Sequence, residues 1–542
     1  MCELLIIAID IGSSSVRCTA YNTATNPPTL TPYSSKITSE PFDDNGQYDA
    51  DVLTDSVEKA LKTCIQQMPL NYHIVALGFD CFAMSFVGSN SSNQAITKVF
   101  SYAERSASTA TYTTKLKQRL LRQNGIESTY QRTGAPIHSA YAGPTLMRLL
   151  QEEPKVFNQV TCWQSFTSHL LQRWTDPLHH PIPVSYSEAS WTGLYNRLDK
   201  CWDNKLLYTI GMNAALQQKL APVIDYDGLP SDLRLSTDML SIFPRLSKAR
   251  LFLGFGDGAM ANIGSKCTDL TRIAVTIGTS AALRVVVPSN SVTEIPLGLW
   301  CYAVDGQHSL LGGALTDGGS IHAFLNQILK EEDTIDKEKK KNNNKKDYVV
   351  GDHGLIVLPF LSGERSPGWN NNACGTIHGL TRNTTKSDIQ KAMYESVCLR
   401  LKSVMNLISP FLDPNAVVLA SGTALKSNPE WKQMMADALG RDLYVEKSSE
   451  ATSRGVALMV LKSLGKKEQE IKKEQLDVSV EIFQSLKEND YDTWDMELIK
   501  QQEMYRKMYG KDGTVGNVRA MGAAVVCGVV LGCVLSYFRP RV

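Results

Sequence analysis

The chain has 542 residues, 43% hydrophobic and 20% charged, which is too long for one domain and too apolar for disorder, collagen or a small disulfide scaffold. Its 56 basic and 55 acidic residues leave a net charge of +1, so no global field recruits nucleic acid and a charge-neutral enzyme is expected. The twelve cysteines stand apart, in no CxxC pair and no zinc spacing, which suits a reducing compartment.

A secretory leader is not expected, because no basic stretch opens the chain and Asp10 interrupts the first apolar run. Residues 4–9 instead predict a buried strand. A Gly/Ser turn follows at 12–15, and Val16, Cys18 and Ala20 alternate as a second strand. Residues 51–67 carry helical periodicity, 74–79 read as another buried strand, and 113–122 and 145–152 read as helices. The pattern then restarts. A short apolar strand at 251–253 enters Gly254-Phe255-Gly256-Asp257-Gly258, and a strand at 273–277, the turn Gly278-Thr279-Ser280 and a strand at 282–287 follow. A strand, Gly/Thr/Ser turn and strand thus occur once in each half, an internal repeat that predicts two related domains, 1–248 and 249–510. The Lys/Asn-rich run at about 331–347 cannot bury a face and is expected to be a disordered surface loop. Residues 466–474 read as a charged, solvated helix face.

Four groups of residues could carry chemistry. In Asp10-Ile11-Gly12-Ser13-Ser14-Ser15-Val16-Arg17, glycine lets backbone N–H groups approach a phosphate, the hydroxyls add donors and Arg17 adds charge. Asp10, at a strand end, could hold Mg2+ through water. A plain hairpin turn is the bland alternative. Thr276-Ile277-Gly278-Thr279-Ser280 offers the same chemistry in the second half, and the two turns together could grip a triphosphate in a cleft. Asp257, between two glycines after an apolar strand, is a natural base for a substrate hydroxyl. A helix-capping Asp is the alternative there, but capping does not require both glycines. Gly254, Gly256 and Ala259 form only a fragment of a dinucleotide fingerprint, without the acidic residue about 20 positions on.

These residues resemble the FGGY carbohydrate kinases, within the sugar-kinase, actin and heat-shock ATPase superfamily. Residues 10–17 are similar to the family's first phosphate motif, 254–258 to its catalytic-Asp motif and 274–280 to its second phosphate motif. Residues 358–381, with Gly363-Glu364-Arg365-Ser366-Pro367-Gly368-Trp369-Asn370, resemble the family signature, and 419–437 resemble the adenosine motif. The motifs fall in order across about residues 4–510. Tyr130 to His138, the Ser187-Glu188-Ala189-Ser190-Trp191-Thr192-Gly193 segment and the form of the signature most resemble gluconokinases.

The resemblance implies an α/β fold of two actin-like, ribonuclease H-like ATPase domains with the catalytic cleft between them. It implies an ATP- and Mg2+-dependent phosphotransferase acting on a sugar hydroxyl, D-gluconate to 6-phosphogluconate first. Another sugar, such as xylulose, ribulose or glycerol, is the nearest alternative. By the same resemblance Asp257 is the base and, with Asp10, lies at the metal. Gly12, Ser13, Ser14, Arg17, Gly278, Thr279, Gly312, Gly319, Gly422, Thr423 and Asn428 lie along the nucleotide. Met84, Glu104, Arg105 and His138 lie near the sugar, and Arg105 is the first candidate to pair with a gluconate carboxylate. The chain departs from the family pattern at Ser13 and Ser14, where threonines are usual. It departs also at Tyr102-Ala103-Glu104-Arg105, at Ser185 in place of an Asp, and at Ser421 in place of a glycine. The Cβ at 421 is expected to loosen nucleotide packing. A weakly active, membrane-tethered sugar or nucleotide sensor is the rival of another class, and the retained Asp10 and Asp257 argue against it.

Residues 520–538 contain no charge and are flanked by Arg519, Arg539 and Arg541. Their length fits one membrane span, so 511–542 is expected to be a linker and tail anchor holding cytoplasmic catalytic domains on a membrane. Gly528 and Gly532 have the spacing that packs two spans, which would make a homodimer.

Overall fold

The computed structural model describes residues 3–24, 29–39, 42–104, 106–329, 348–426, 428–446, 450–465, 480–485 and 491–510. The first apolar run forms strand β1, Glu3–Ile11. It turns back as β2, Ser15–Asn22, which pairs with it antiparallel. β3, Thr29–Thr38, adds beyond β2, and β4, Tyr72–Cys81, lies parallel to β1 on the other side. Residues on β1 alternate between two covers, as period-2 geometry demands. Leu5, Ile7 and Ile9 pack with Leu53, Val57 and Leu61 of helix α1, Ala50–Gln66, which Asp49 caps by accepting from the Asp51 and Val52 N–H groups. Ile6 and Ala8 face Val456 and Val460 of the helix Ala451–Ser463, which comes from the second half of the chain. A Cβ on Gly78 would stand 2.6 Å from both valines, so this glycine permits the close approach.

The fifth strand of this sheet is Arg250–Gly256, parallel to β4. The sequence reading places that segment at the start of the second half. Its partner instead belongs to the first sheet, because a strand buried on both faces can complete a parallel sheet only beside another such strand. The chain enters the second sheet at Arg272–Ile277, which pairs antiparallel with Ala281–Pro288 and parallel with Val417–Ser421. His308–Leu315 and Trp300–Ala303 extend one side, and Leu443–Glu446 and Val480–Phe483 the other. Each sheet is thus built around one of the two hairpins that the internal repeat predicts, and in each the first strand also has a parallel neighbour. The helices Asp257–Gly264 and Ala451–Ser463 join the halves. A Cβ on Gly264 would collide with the Ala451 carbonyl, and one on Gly455 with the Met260 carbonyl, so both glycines serve backbone contact.

Among the described residues, no helix is long and apolar enough to cross a membrane. The expected anchor at 520–538, with Gly528 and Gly532, lies outside the described residues, as do the run 331–347 and the stretch 466–474. No disulfide joins the described cysteines.

Candidate active site

Three carboxylates converge where the parallel strands of the first sheet end. Asp10 on β1 is in register with Arg17 on β2 and with Asp80 on β4, and Asp80 is in turn in register with Phe255. Asp257 lies two residues further on, in the first turn of Asp257–Gly264. The Arg17 guanidinium stands 3.4 Å from Asp10 Oδ2. Burial pushes the Asp10 carboxyl up to about 6, against the pull of Arg17 and with the added push of Asp257. Asp80 is fully buried, and no N–H or O–H of the described residues reaches either of its oxygens. Burial, then the Asp10 and Asp257 charges, raise it far above the carboxylate range. Sequence reasoning passed over Asp80, although an aspartate inside the apolar run of β4 is a visible signal, since a buried charge is costly without a partner.

Asp257 is raised by burial, opposed by Arg284 and by the Gly258 N–H, which donates to Asp257 Oδ1 at 2.6 Å. Arg284 stands on Ala281–Pro288 of the second sheet, its Nη1 donating to Thr276 Oγ1 at 3.3 Å. It too was missed, yet the repeat points to it, because Arg17 follows Gly12 by five residues and Arg284 follows Gly278 by six. The glycines beside Asp257 serve packing rather than access. A Cβ on Gly256 or Gly258 would run into the Trp191 ring.

The two turns face this cluster with different chemistry. At the first, the Tyr48 hydroxyl donates to the Ser13 carbonyl and the Tyr102 hydroxyl to Ser13 Oγ at 3.4 Å. At the second, Gly278 borders open space, while the N–H groups of Gly318, Gly319 and Ser320 brace its turn by donating to the Thr279 and Gly278 carbonyls. A turn that leaves room for a side chain it lacks, with hydroxyls beside it, fits a phosphate. Gly422 has φ +105, and a Cβ there would collide with the Ile277 carbonyl. Ser421, the departure from the family pattern, sits in its strand with Oγ 3.1 Å from Thr276 Oγ1. Thr423 is exposed beside it at the start of a short helix. Gly312 pairs with Arg284 inside the second sheet, and a Cβ on it would meet the Trp300 ring. Asn428 uses its side-chain oxygen to cap the helix Pro429–Leu439, accepting from the Trp431 N–H at 3.0 Å.

Three of the expected sugar residues, Met84, Glu104 and His138, lie in the first half of the chain, and all three are buried. Met84 is buried with φ +71 and Ser85 has φ +30, strained values of the kind that gather at binding sites. Glu104 is buried and accepts from Gln47 Nε2 at 2.7 Å and from the Ser106 N–H at 3.1 Å. Arg105 lies outside the described residues. His138 is buried, and its Nδ1 accepts from the Ala140 N–H at 3.1 Å. An aromatic wall spans both halves. Trp191 stacks on Tyr302 at 4.9 Å, the Tyr302 and Tyr141 hydroxyls meet at 2.5 Å, and Trp369 lies 6.2 Å from Tyr141 and 5.4 Å from His138.

Among the described residues no three Asp, Glu, His or Cys side chains form a closed metal cage. Asp10 and Asp257 supply the hard oxygens that suit Mg2+, which is usually held by one or two carboxylates, waters and substrate phosphates.

Residues 5–226 match the N-terminal domain, and residues 273–464 the C-terminal domain, of the FGGY family of carbohydrate kinases. The gluconokinase of Bacillus licheniformis is 27% identical over 362 residues, covering 65% of this chain and 67% of that protein. The xylulose kinase of Staphylococcus xylosus is 21% identical over 457 residues, 84% of this chain and 90% of that one. Among solved structures, gluconate kinase from Lactobacillus acidophilus superposes with a TM-score of 0.79 at 20% identity, covering 94% of this chain and 99% of that one, a likeness of fold.

Proposed function

The chain belongs to the FGGY family of carbohydrate kinases, ATP- and Mg2+-using phosphotransferases with an alcohol acceptor, and from that membership we propose that it phosphorylates a sugar acid, D-gluconate, to 6-phosphogluconate. The observation that carries the chemistry is the placement of Asp257, half-buried just past the end of the first sheet and faced by Arg284 of the second. Asp257 accepts the proton of the acceptor hydroxyl as the phosphoryl group leaves the nucleotide. Arg284 favours the ionised form of its carboxyl, opposing the larger push of burial. Gly12, Ser13, Ser14 and Arg17 on one side and Gly278 and Thr279 on the other hold phosphate oxygens, and Gly422 and Thr423 border the nucleoside. Asp10 and Asp257 would hold the metal ion, which would supply positive charge against the phosphates. Met84, Glu104 and His138 border the sugar, and the aromatic wall excludes water, which would otherwise take the phosphoryl group. The matches to gluconokinases favour gluconate, and the match to a xylulose kinase keeps a neutral pentulose as the second reading.

A coupled ADP-release assay over gluconate, xylulose, ribulose and glycerol tests this. Gluconate is expected to give the highest kcat/KM, and a neutral sugar taken in preference would overturn the sugar-acid reading. We propose further that residues 520–538 tether the enzyme to a membrane, which carbonate extraction of the full-length chain would contradict by releasing it.

A further inference from the structure

One short helix serves the edges of both sheets. Arg250–Gly256 stands at one end of the first sheet and Trp300–Ala303 at one end of the second, where backbone groups need partners other than a further strand. The helix Tyr186–Trp191, with the serine before it, supplies them. Ser185 Oγ donates to the Gly254 carbonyl at 2.6 Å, and Ser187 Oγ accepts from the Gly256 N–H at 3.2 Å. Ser190 Oγ accepts from the Ala303 N–H of the second sheet at 2.9 Å. All three serines are buried. An ionised Asp at 185, the residue of the family pattern, could not donate the bond to Gly254. The helix also explains the glycines around the base. A Cβ on Gly254 would stand 2.7 Å from Glu188 Oε1, and one on Gly256 would run into the Trp191 ring. One on Gly258 would stand 2.9 Å from Trp191 Cη2 and 3.3 Å from Arg284 Nε. Gly256 has φ −71, which any residue adopts, so the indole and not the backbone requires glycine there. On its other side the Trp191 ring stacks on Tyr302, in the edge strand of the second sheet, at 4.9 Å.

Phosphoryl transfer depends on geometry more than on covalent chemistry, and a misplacement of about 1 Å can cost roughly 100-fold in rate. Asp257 follows Gly256 directly, so whatever fixes the Gly256 backbone fixes the start of the base. We infer that Ser187 and Trp191 are positioning residues for the Asp257 carboxylate: the serine holds the backbone at Gly256, and the indole, wedged between Gly256 and Tyr302, sets how far the base stands from the second half. The inference rests on the reading of Asp257 as the base. Because the same helix holds Ala303, it places the base relative to the sheet that carries Arg284 and the open phosphate turn, and not to its own sheet alone.

Four variants of the full chain test this: Ser187→Ala, its conservative control Ser187→Thr, Gly256→Ala, and Gly256→Ala combined with Trp191→Leu. Sugar-dependent kcat should fall roughly 10-fold in Ser187→Ala and roughly 100-fold in Gly256→Ala, while both KM values, and ATP binding followed by calorimetry, stay within about twofold of the wild type. Ser187→Thr keeps the acceptor oxygen and should recover part of the loss. Trimming the indole in the double variant removes the clash and should raise kcat about tenfold over Gly256→Ala alone. Losses shared by kcat, both KM values, ATP affinity and melting temperature would mean a structural role and overturn the inference. So would wild-type kcat in both Ser187→Ala and Gly256→Ala while Asp257→Asn is inactive, which leaves the base reading intact. Wild-type turnover by Asp257→Asn overturns that reading, and the inference with it.

Discussion

The two hairpins have one backbone plan and opposite chemistry. Two residues before the turn glycine, the first has Asp10 and the second has Thr276. Around Asp10 the parallel strands bring Asp80 and Asp257, so the first sheet ends in carboxylates. Around Thr276 the parallel neighbour brings Ser421, so the second sheet ends in hydroxyls and the open turn at Gly278. Each hairpin also sends one arginine into the cleft, but Arg17 faces its own hairpin's Asp10 and Arg284 faces Asp257 of the other sheet. The lesson is that a repeated supersecondary unit sets where ligands approach, while the single residue at the strand end decides which charge is welcome there. An acid-lined end suits a cation and the acceptor hydroxyl; a hydroxyl-lined end suits phosphate oxygens.

The sharpest way to break this division is Asp257→Asn, which removes the base but keeps the shape. Sugar-dependent ADP release should fall roughly 100- to 10,000-fold with nucleotide binding unchanged, and turnover like the wild type would remove Asp257 as the base. A middle-sized effect is expected from Asp10→Asn. In the metal-free chain Asp10 titrates at about 6, above its ordinary value of 3.8. The folded chain therefore holds this proton more tightly than the unfolded chain does. The stability this confers is complete below about pH 4 and is lost as pH rises through about 6. Melts in EDTA at pH 8 should therefore find Asp10→Asn more stable than the wild type, by of the order of 1–3 kcal/mol. The advantage should shrink towards pH 4, and Mg2+-dependent turnover should collapse. A variant less stable than wild type at pH 8 would contradict the buried, strained carboxylate. The smallest effect belongs to the second hairpin. Ser421→Gly restores the family's glycine but loses the hydroxyl contact with Thr276 and loosens a strand. A drop of about 1 kcal/mol in stability, with the ATP KM changed less than about threefold, should appear in melts and saturation curves. Tighter ATP binding in that variant would show that the serine does hinder the nucleotide.

Much of this site could be read from the chain alone. The order of the motifs, both turns, Asp10 and Asp257 follow from local patterns: an apolar run that stops at a carboxylate, a glycine where the backbone must come close, a spacing that recurs. Such signals are local because strand alternation and turn chemistry act over a few residues. Asp80 and Arg284 were present as weaker signals, a charge inside an apolar strand and an echo of Arg17, and became functional candidates only when register placed them beside Asp10 and Asp257. The rest needed the fold. That Arg250–Gly256 completes the first sheet depends on which buried edge was open, a choice between strands far apart in sequence. That Gly256 and Gly258 make room for Trp191 depends on a ring more than sixty residues away. That Arg365 reaches the Tyr102 carbonyl depends on a contact between residues more than two hundred and fifty positions apart. The sequence by itself determined the family, the two hairpins and the acid on which catalysis is proposed to turn. Tertiary structure alone decided which charges share the cleft, because burial and pairing across sheets are settled by contacts that no local pattern encodes.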